Sequence, residues 1–342
     1  MILHCLIKSC TGPSLERVNP EPIFKALLGY RAAAVVRAAI ELDVFSAIEE
    51  GASTVAAIVA SRGGTERSIR ILLDATAVAA PKLLRKKGKG YALTPVSRQF
   101  LVRSSRSFIG QLMPLYGHRR MWDGFYGLPG AVRAGRSVME KDAHSADQDF
   151  WEDFARATAR DAERKATRMV EALGKKRGPF RILDIACGSG MYGATFARLL
   201  PGSTITLFDQ PNVLAQTRKL VKIPATYVEG DLFRTDFGGP HDLVIASHVF
   251  HHFNPADCLA LMRKIRAALA PGGRLVIQEF VPDEERATNE QALMFAVTML
   301  VWTREGDAYC RSDYEKWLKE AGFRKSAFHP QPEPGDFFIA QV

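Results

Sequence analysis

Residues 181–200 read RILDIACGSGMYGATFARLL. The first six are an apolar run too short for a helix, and glycines follow at positions 188 and 190. The stretch after Gly190 then takes helical spacing, so the segment predicts a buried strand, a glycine turn and a helix. Gly188 gives the tight turn, and the bare backbone at Gly190 leaves room for a ligand to approach. Outward from here the texture alternates. TITLFDQ, ATYVEGDLF, HDLVIASHVF and RLVIQEF read as strands, and FFIAQV as a last one. VLAQTRKLV, NPADCLALMRKIRAALA and DYEKWLKEAGF read as helices, the second with Asn254 as N-cap, Pro255 at the first position and Pro271-Gly272-Gly273 as its stop. Strands alternating with helices predict an α/β fold, a mostly parallel, doubly wound, Rossmann-like sheet.

Asp209 closes the second strand, 21 residues after Gly188, where a carboxylate suits a ribose diol. The loop is not G-x-G-x-x-G, since Tyr192 and Gly193 follow Gly190. A loop ending in G-x-G with Asp184 before it suits S-adenosylmethionine better than a dinucleotide. Asp231 in EGDLF ends the third strand, placed to accept from an adenine amine with Leu232 beside the ring. The hexapeptide HVFHHF raises three readings for His248, His251 and His252: metal ligands, a general base with neighbours, or a polar strand end. No H-E-x-x-H or H-x-x-E-H pattern occurs, and the three need not converge, so no metal is expected.

The N-terminal half differs. RAAAVVRAAIELDVFSAI and TVAAIVASRGGTERSIRILLDATAV predict helices broken at Gly63-Gly64, and LLRKKGKGYALTP predicts a hairpin. Helix–turn–helix followed by a hairpin is a winged-helix pattern, which serves either dimerisation or DNA binding. The first 178 residues hold 29 Lys+Arg against 18 Asp+Glu, and the remainder 17 against 19. A basic half can contact nucleic acid, but TERSIRILLDATAV is too apolar for a recognition helix, so a solvated surface is the expectation. The expected organisation is a tail over 1–20, a winged-helix domain over 21–101, a helical connector over 102–178 and the α/β domain over 179–342. At 47% hydrophobic and 24% charged, the 342-residue chain has the composition of a globular protein. No apolar run approaches the roughly 20 residues of a membrane helix. The five cysteines are odd in number and scattered, without a C-x-x-C, which fits a reducing cytoplasm.

Taken in order, ELDVFSAI, YALTPVSRQFL, MWDGFYGLPGAVRAG, ILDIACGSG, FDQPNV, EGDLF, VFHHF, PGGRLVIQEF and EAGF resemble the class I S-adenosylmethionine-dependent O-methyltransferases with an N-terminal dimerisation domain. That group includes caffeic-acid-type, hydroxyindole and bacterial natural-product enzymes. The resemblance implies a homodimer and methyl transfer to a hydroxyl of a small, aromatic acceptor, leaving S-adenosyl-L-homocysteine. FDQP matches the family's Phe-Asp-x-Pro, which assigns Asp209 to the ribose. Asp184, Gly188, Gly190, Gln210, Asp231, Leu232, Ser247 and His248 complete the implied cofactor set. VFHHF stands where the family has Val-Leu-His-Asp-Trp, which makes His251 the general base, oriented by Glu279. An imidazole with an ordinary pKa near 6.5 can take a hydroxyl proton at neutral pH. Two departures follow. His252 replaces the family's Asp, and the second buttressing acid falls at Ala308, so either the adjacent Asp307 substitutes for it or the base has one carboxylate partner only. Met121, Trp122, Phe125, Phe154, Met294, Met299 and Trp302, with His252, are the expected acceptor walls, joined by Phe150, Trp151 and Phe295.

Overall fold

The computed structural model describes residues 19–79, 81–140, 148–174, 178–332 and 335–342. The tail expected over 1–20 lies outside the described residues except for Asn19 and Pro20. The chain divides into two compact units at Gly110/Gln111.

The first unit is helical with one hairpin. Helices α1 (Glu21–Leu27), α2 (Gly29–Glu41), α3 (Val44–Glu49), α4 (Val55–Arg62) and α5 (Glu66–Val78) precede strands β1 (Leu84–Lys87) and β2 (Gly90–Leu93), then α6 (Pro95–Phe100). Thr54 caps α4, and Thr65 with Ser68 forms a capping box on α5. Between them Gly63 and Gly64 take φ of 82° and 90°, which ordinary residues avoid. The basic hairpin is tied to α5 through Asp74, whose Oδ1 accepts from Lys86 Nζ at 2.5 Å and Tyr91 Oη at 2.7 Å. Residues 102–109 are turns, bends and coil, where the sequence predicts helix.

The second unit opens with helices α7 (Met113–Tyr116), α8 (Arg119–Tyr126), α9 (Leu128–Ala134) and the long α10 (Gln148–Ala172). Its sheet holds β3 (Arg181–Ile185), β4 (Thr204–Asp209), β5 (Thr226–Glu229), β6 (His241–Ser247), β7 (Leu269–Glu279), β8 (Lys325–His329) and β9 (Asp336–Gln341), in the order β5-β4-β3-β6-β7-β9-β8. The first five pair in parallel, and β9 runs antiparallel between β7 and β8. Alternate residues of β3, β6 and β7 feed two apolar layers, Leu183, Val244 and Ile277 on one face and Ile182, Ile245 and Val276 on the other. A sheet buried on both faces explains why its strands read as continuous apolar runs. Helices α11 (Met191–Leu199), α12 (Pro211–Leu220), α13 (Pro255–Ala268), α14 (Glu290–Trp302) and α15 (Arg311–Glu320) complete the unit.

Two elements differ from expectation. β8 is unannounced in the sequence, because its first three residues are exposed and carry no burial alternation. Helix α13 stops at Ala268, and β7 begins at once, so Pro271-Gly272-Gly273 lies within the irregular start of β7 instead of ending the helix. Strand order reverses between β3 and β6, and in open parallel sheets the carboxyl ends flanking such a reversal form the ligand crevice.

Candidate active site

A cleft of about 180 Å³ opens at that place. Gly188, Asp209, Gln210, Asp231, Leu232, His248 and His252 of the predicted site line it, together with Trp151 and Phe154. Phe208, Val213, Phe233, Val249 and Phe253 also line it and escaped sequence analysis. The FDQP, EGDLF and HVFHHF motifs each hold one of these aromatics, but nothing in their spacing shows which way each ring points.

The glycine loop sits between β3 and α11. Gly188 has φ 55°, and a Cβ there would meet nothing within 4 Å. Gly190 has φ 72°, and a Cβ there would lie 2.6 Å from Thr217 Cγ2 and 2.7 Å from Val221 Cγ2. The expected roles are therefore corrected: Gly188 leaves the open approach on the cleft, whereas Gly190 is bare because α12 packs against it. Thr217 also donates to the Gly188 carbonyl at 2.7 Å, fixing the turn. Gly190→Ala is expected to cost roughly 2–4 kcal/mol, from left-handed strain plus overpacking. Gly188→Ala should cost less, and differential thermal unfolding of the two variants checks the order.

Asp184 does not line the cleft. Its carboxylate is fully buried and accepts the Gly193 N–H at 2.8 Å, anchoring the first turn of α11. Burial pushes its carboxyl well above the usual range. Its second oxygen, Oδ1, has no hydrogen-bond partner.

At the end of β4, Asp209 Oδ2 accepts the Gly188 N–H at 2.9 Å and Oδ1 accepts the Gln210 N–H at 2.8 Å. These bonds aim the carboxylate along the cleft and lower its pKa, but burial outweighs them and raises it to about 6. After β5, Asp231 Oδ1 accepts the N–H groups of Phe233 and Arg234 at 2.9 and 3.0 Å. Lys264 braces this loop from α13, donating to the carbonyls of Leu232 and Thr235 at 2.6 Å each.

Beyond β6 the chain bends sharply. Ser247 is buried within the sheet and does not line the cleft. His248 takes φ 54°, and its N–H donates to the Gln278 carbonyl at 2.8 Å. Burial holds the His248 imidazole well below its usual pKa, with lesser contributions from Lys165, His251 and His252. A 3₁₀ turn, Phe250–His252, then delivers His251. Its Nδ1 lies 2.5 Å from Glu279 Oε2, and Glu279 Oε1 accepts the Phe250 N–H at 2.9 Å. Glu279 is fully buried at the end of β7, and His251 is 5% exposed. The Phe295 ring meets the His251 ring edge-to-face at 4.7 Å, and Phe295 stacks on Phe280 at 4.1 Å. Gly306 is needed here, since a Cβ would fall 2.2 Å from the His251 carbonyl.

Asp307 is not brought to His251. Its Oδ1 accepts from Arg286 Nη2 at 3.3 Å and from the Ala308 N–H at 2.7 Å, while Ala308 itself is buried. Of the expected acceptor walls, Trp151, Phe154 and His252 face the cleft. Trp302 belongs, with Met121, Trp151 and Phe154, to one apolar cluster. Met299 is buried, Met294 is 52% exposed and Phe125 37% exposed, and the Trp122 indole donates to the Tyr116 carbonyl at 3.2 Å. The Phe150 side chain lies outside the described residues.

Comparison with known proteins follows this geometry. Residues 120–324 match the O-methyltransferase domain family, and residues 24–103 the O-methyltransferase dimerisation domain. Acetylserotonin O-methyltransferase of Mus musculus is 32% identical over 340 residues, covering 88% of this chain and 84% of the mouse protein. The 3-hydroxy-5-methyl-1-naphthoate 3-O-methyltransferase of Streptomyces sahachiroi is 26% identical, over 83% of this chain and 84% of that one. The crystal structure of human N-acetylserotonin methyltransferase, in complex with S-adenosylmethionine, superposes with a TM-score of 0.82 at 26% identity, covering 97% of this chain and 99% of that chain. The glycine turn, the acidic strand end and the paired histidine and glutamate thus sit in a chain that belongs to the O-methyltransferase family, with a dimerisation domain followed by a methyltransferase domain.

Proposed function

We propose that this S-adenosylmethionine-dependent O-methyltransferase methylates a hydroxyl of a small aromatic metabolite, with His251 as general base and Glu279 as the group that orients it. The observation that carries the reading is the buried His251–Glu279 pair, which lies behind the cleft wall that its neighbours His248 and His252 line. With its other oxygen held by the Phe250 N–H, Glu279 accepts the Nδ1 proton of His251. The neutral tautomer then leaves Nε2 unprotonated, as a base requires.

The cleft suits the cofactor on its own features. Gly188 offers open space where a side chain would intrude, and each Asp209 oxygen, with one backbone N–H accepted, keeps a lone pair for a ribose hydroxyl. Leu232, Phe233 and Val213 supply an apolar wall for a planar base. When bound, S-adenosylmethionine supplies an electrophilic methyl on a sulfonium. His251 withdraws the acceptor proton, and Glu279 stabilises the imidazolium that results. Phe154 and Trp151 on the cleft wall, with Phe295 against the base, favour a flat, apolar acceptor. Asp184 holds helix α11 through the Gly193 N–H, and Asp307 acts on Arg286. Among the described residues no helix is long and apolar enough to cross a membrane. Exposed Ile23, Leu27 and Tyr30 support a homodimer built through the first unit.

Labelled methyl transfer to a panel of phenols, hydroxyindoles and hydroxyquinones tests this reading. A methyl ether formed in step with S-adenosylhomocysteine is the expected result, and a product methylated at nitrogen or carbon would overturn it. Glu279→Gln keeps the shape but offers an N–H to Nδ1, which favours the wrong tautomer. Its kcat is expected to fall at least ~10-fold with the cofactor Kd unchanged, read by steady-state kinetics beside calorimetry.

A further inference from the structure

Sequence spacing gives no reason for the histidines of HVFHHF to meet an acid, yet the fold gathers two of them around one. Ligand atoms of His248, His251 and Glu279 all lie within 4.8 Å of one another. His248 Nδ1 is 3.9 Å from Glu279 Oε2, and His251 Nδ1 is 2.5 Å from that same oxygen. The left-handed backbone at His248 turns its ring back over the pair, between His251 and Phe280, at ring separations of 6.1 and 5.1 Å. Its Nδ1 is buried and makes no hydrogen bond. A buried ring nitrogen without a partner, aimed at a carboxylate that already holds a second imidazole, is an unmet demand.

We propose that His248, His251 and Glu279 form an inhibitory binding site for a divalent cation of the zinc type. Two imidazoles and one carboxylate are a favoured zinc donor set, with metal–ligand bonds near 2.0–2.2 Å and so ligand atoms roughly 3.3 Å apart in a tetrahedron. Opening the 2.5 Å contact and closing the 3.9 Å one take under about 1 Å each, and the two imidazole nitrogens, within 4.8 Å of one another, must close as well. His248 lines the cleft, so the fourth position faces open space, as at zinc sites that keep a water. Lys165, whose charge reaches His248, is neutralised locally by Asp161 at 2.8 Å.

Binding changes the tautomer of the base. The metal takes the Nδ1 lone pair of His251, and the proton that stood there toward Glu279 passes through solvent to Nε2. The imidazole stays neutral but carries its one proton on Nε2, so that nitrogen can no longer accept one from the acceptor. This inhibitory half rests on His251 being the base. The site itself rests only on the three side chains, and it makes no claim that methyl transfer needs a metal.

The test uses the full chain with Cys5 and Cys10 replaced by serine, which removes those thiols as competing ligands. Titration with Co²⁺ is followed by visible absorption, and Zn²⁺ inhibition of methyl transfer is measured with and without EDTA. One equivalent of Co²⁺ with the intense bands of a low-coordinate site is expected, together with Zn²⁺ inhibition that EDTA reverses. His248→Asn tolerates the left-handed backbone and should weaken Co²⁺ binding by at least ~10-fold. Glu279→Gln should do the same, which guards against a fold defect in either variant alone. No saturable Co²⁺ spectrum, or one unchanged in both variants, overturns the site and leaves the base reading untouched. A full spectrum without inhibition overturns the inhibitory role and counts against His251 as base.

Discussion

Replacing His251 with alanine is expected to lower kcat by about 10²–10⁴-fold for an ordinary phenol, the range a positioned general base contributes. The cofactor Kd should stay within about twofold, because the contacts expected to hold the cofactor come from Asp209, Gly188 and the loop after β5. The cost to folding should be modest. His251 is buried in contact with Phe295 and His252, but its removal frees Glu279 Oε2 while Oε1 keeps the Phe250 N–H. Circular dichroism and cofactor calorimetry on the variant separate a lost base from a lost fold.

The second large effect falls on cofactor binding. Asp209→Ala removes a carboxylate aimed along the cleft by two backbone N–H groups, and hydrogen bonds to a charged acceptor contribute about 1.5–3 kcal/mol. A rise in Kd of roughly ten- to a hundredfold follows, measured by calorimetry near pH 8. The pH dependence carries its own sign. With the Asp209 pKa near 6, the group is ionised at neutral pH, and only the carboxylate accepts both ribose hydroxyls. Affinity should therefore fall as pH drops through 6. Stability of the empty protein moves the other way. A folded pKa raised above the ordinary carboxyl value means the fold binds the proton more tightly than the unfolded chain, so stability rises as pH falls from about 6 toward 4. Asp209→Asn should flatten both trends.

Which parts of this were legible in sequence follows from how local their causes are. The alternation of apolar runs with helical stretches is local, and it announced the parallel strands. The glycine turn and the Asp209 strand end are short motifs whose backbone demands are also local. Glu279, 28 residues after His251, could be paired with it only through resemblance; the fold places their strand ends side by side in adjacent β6 and β7. The open approach falls at Gly188 instead of Gly190, because which glycine is crowded depends on where Thr217 and Val221 arrive from α12. Asp307 stands one residue from the position that spacing gives the second acid, Ala308, and Arg286, 21 residues earlier, claims its carboxylate. The acceptor walls were the least legible. Aromatics are abundant in α8, α10 and α14, and only packing separates Phe154, which faces the cleft, from Trp122, whose indole turns to the Tyr116 carbonyl. Strand β8 stayed hidden because an exposed edge strand has no buried face to set an alternation.

The central claim is that His251 removes the acceptor proton, and one comparison tests it directly. Wild type and His251→Ala are run in single-turnover methyl transfer with two acceptors of the same ring size. One is a phenol of pKa about 10, neutral at the assay pH; the other carries an electron-withdrawing group and is already ionised. If His251 is the base, the variant loses at least ~100-fold on the neutral phenol and under ~10-fold on the ionised one. Equal losses on both acceptors would mean that His251 positions the substrate instead of deprotonating it, and no loss on either would remove it from the reaction.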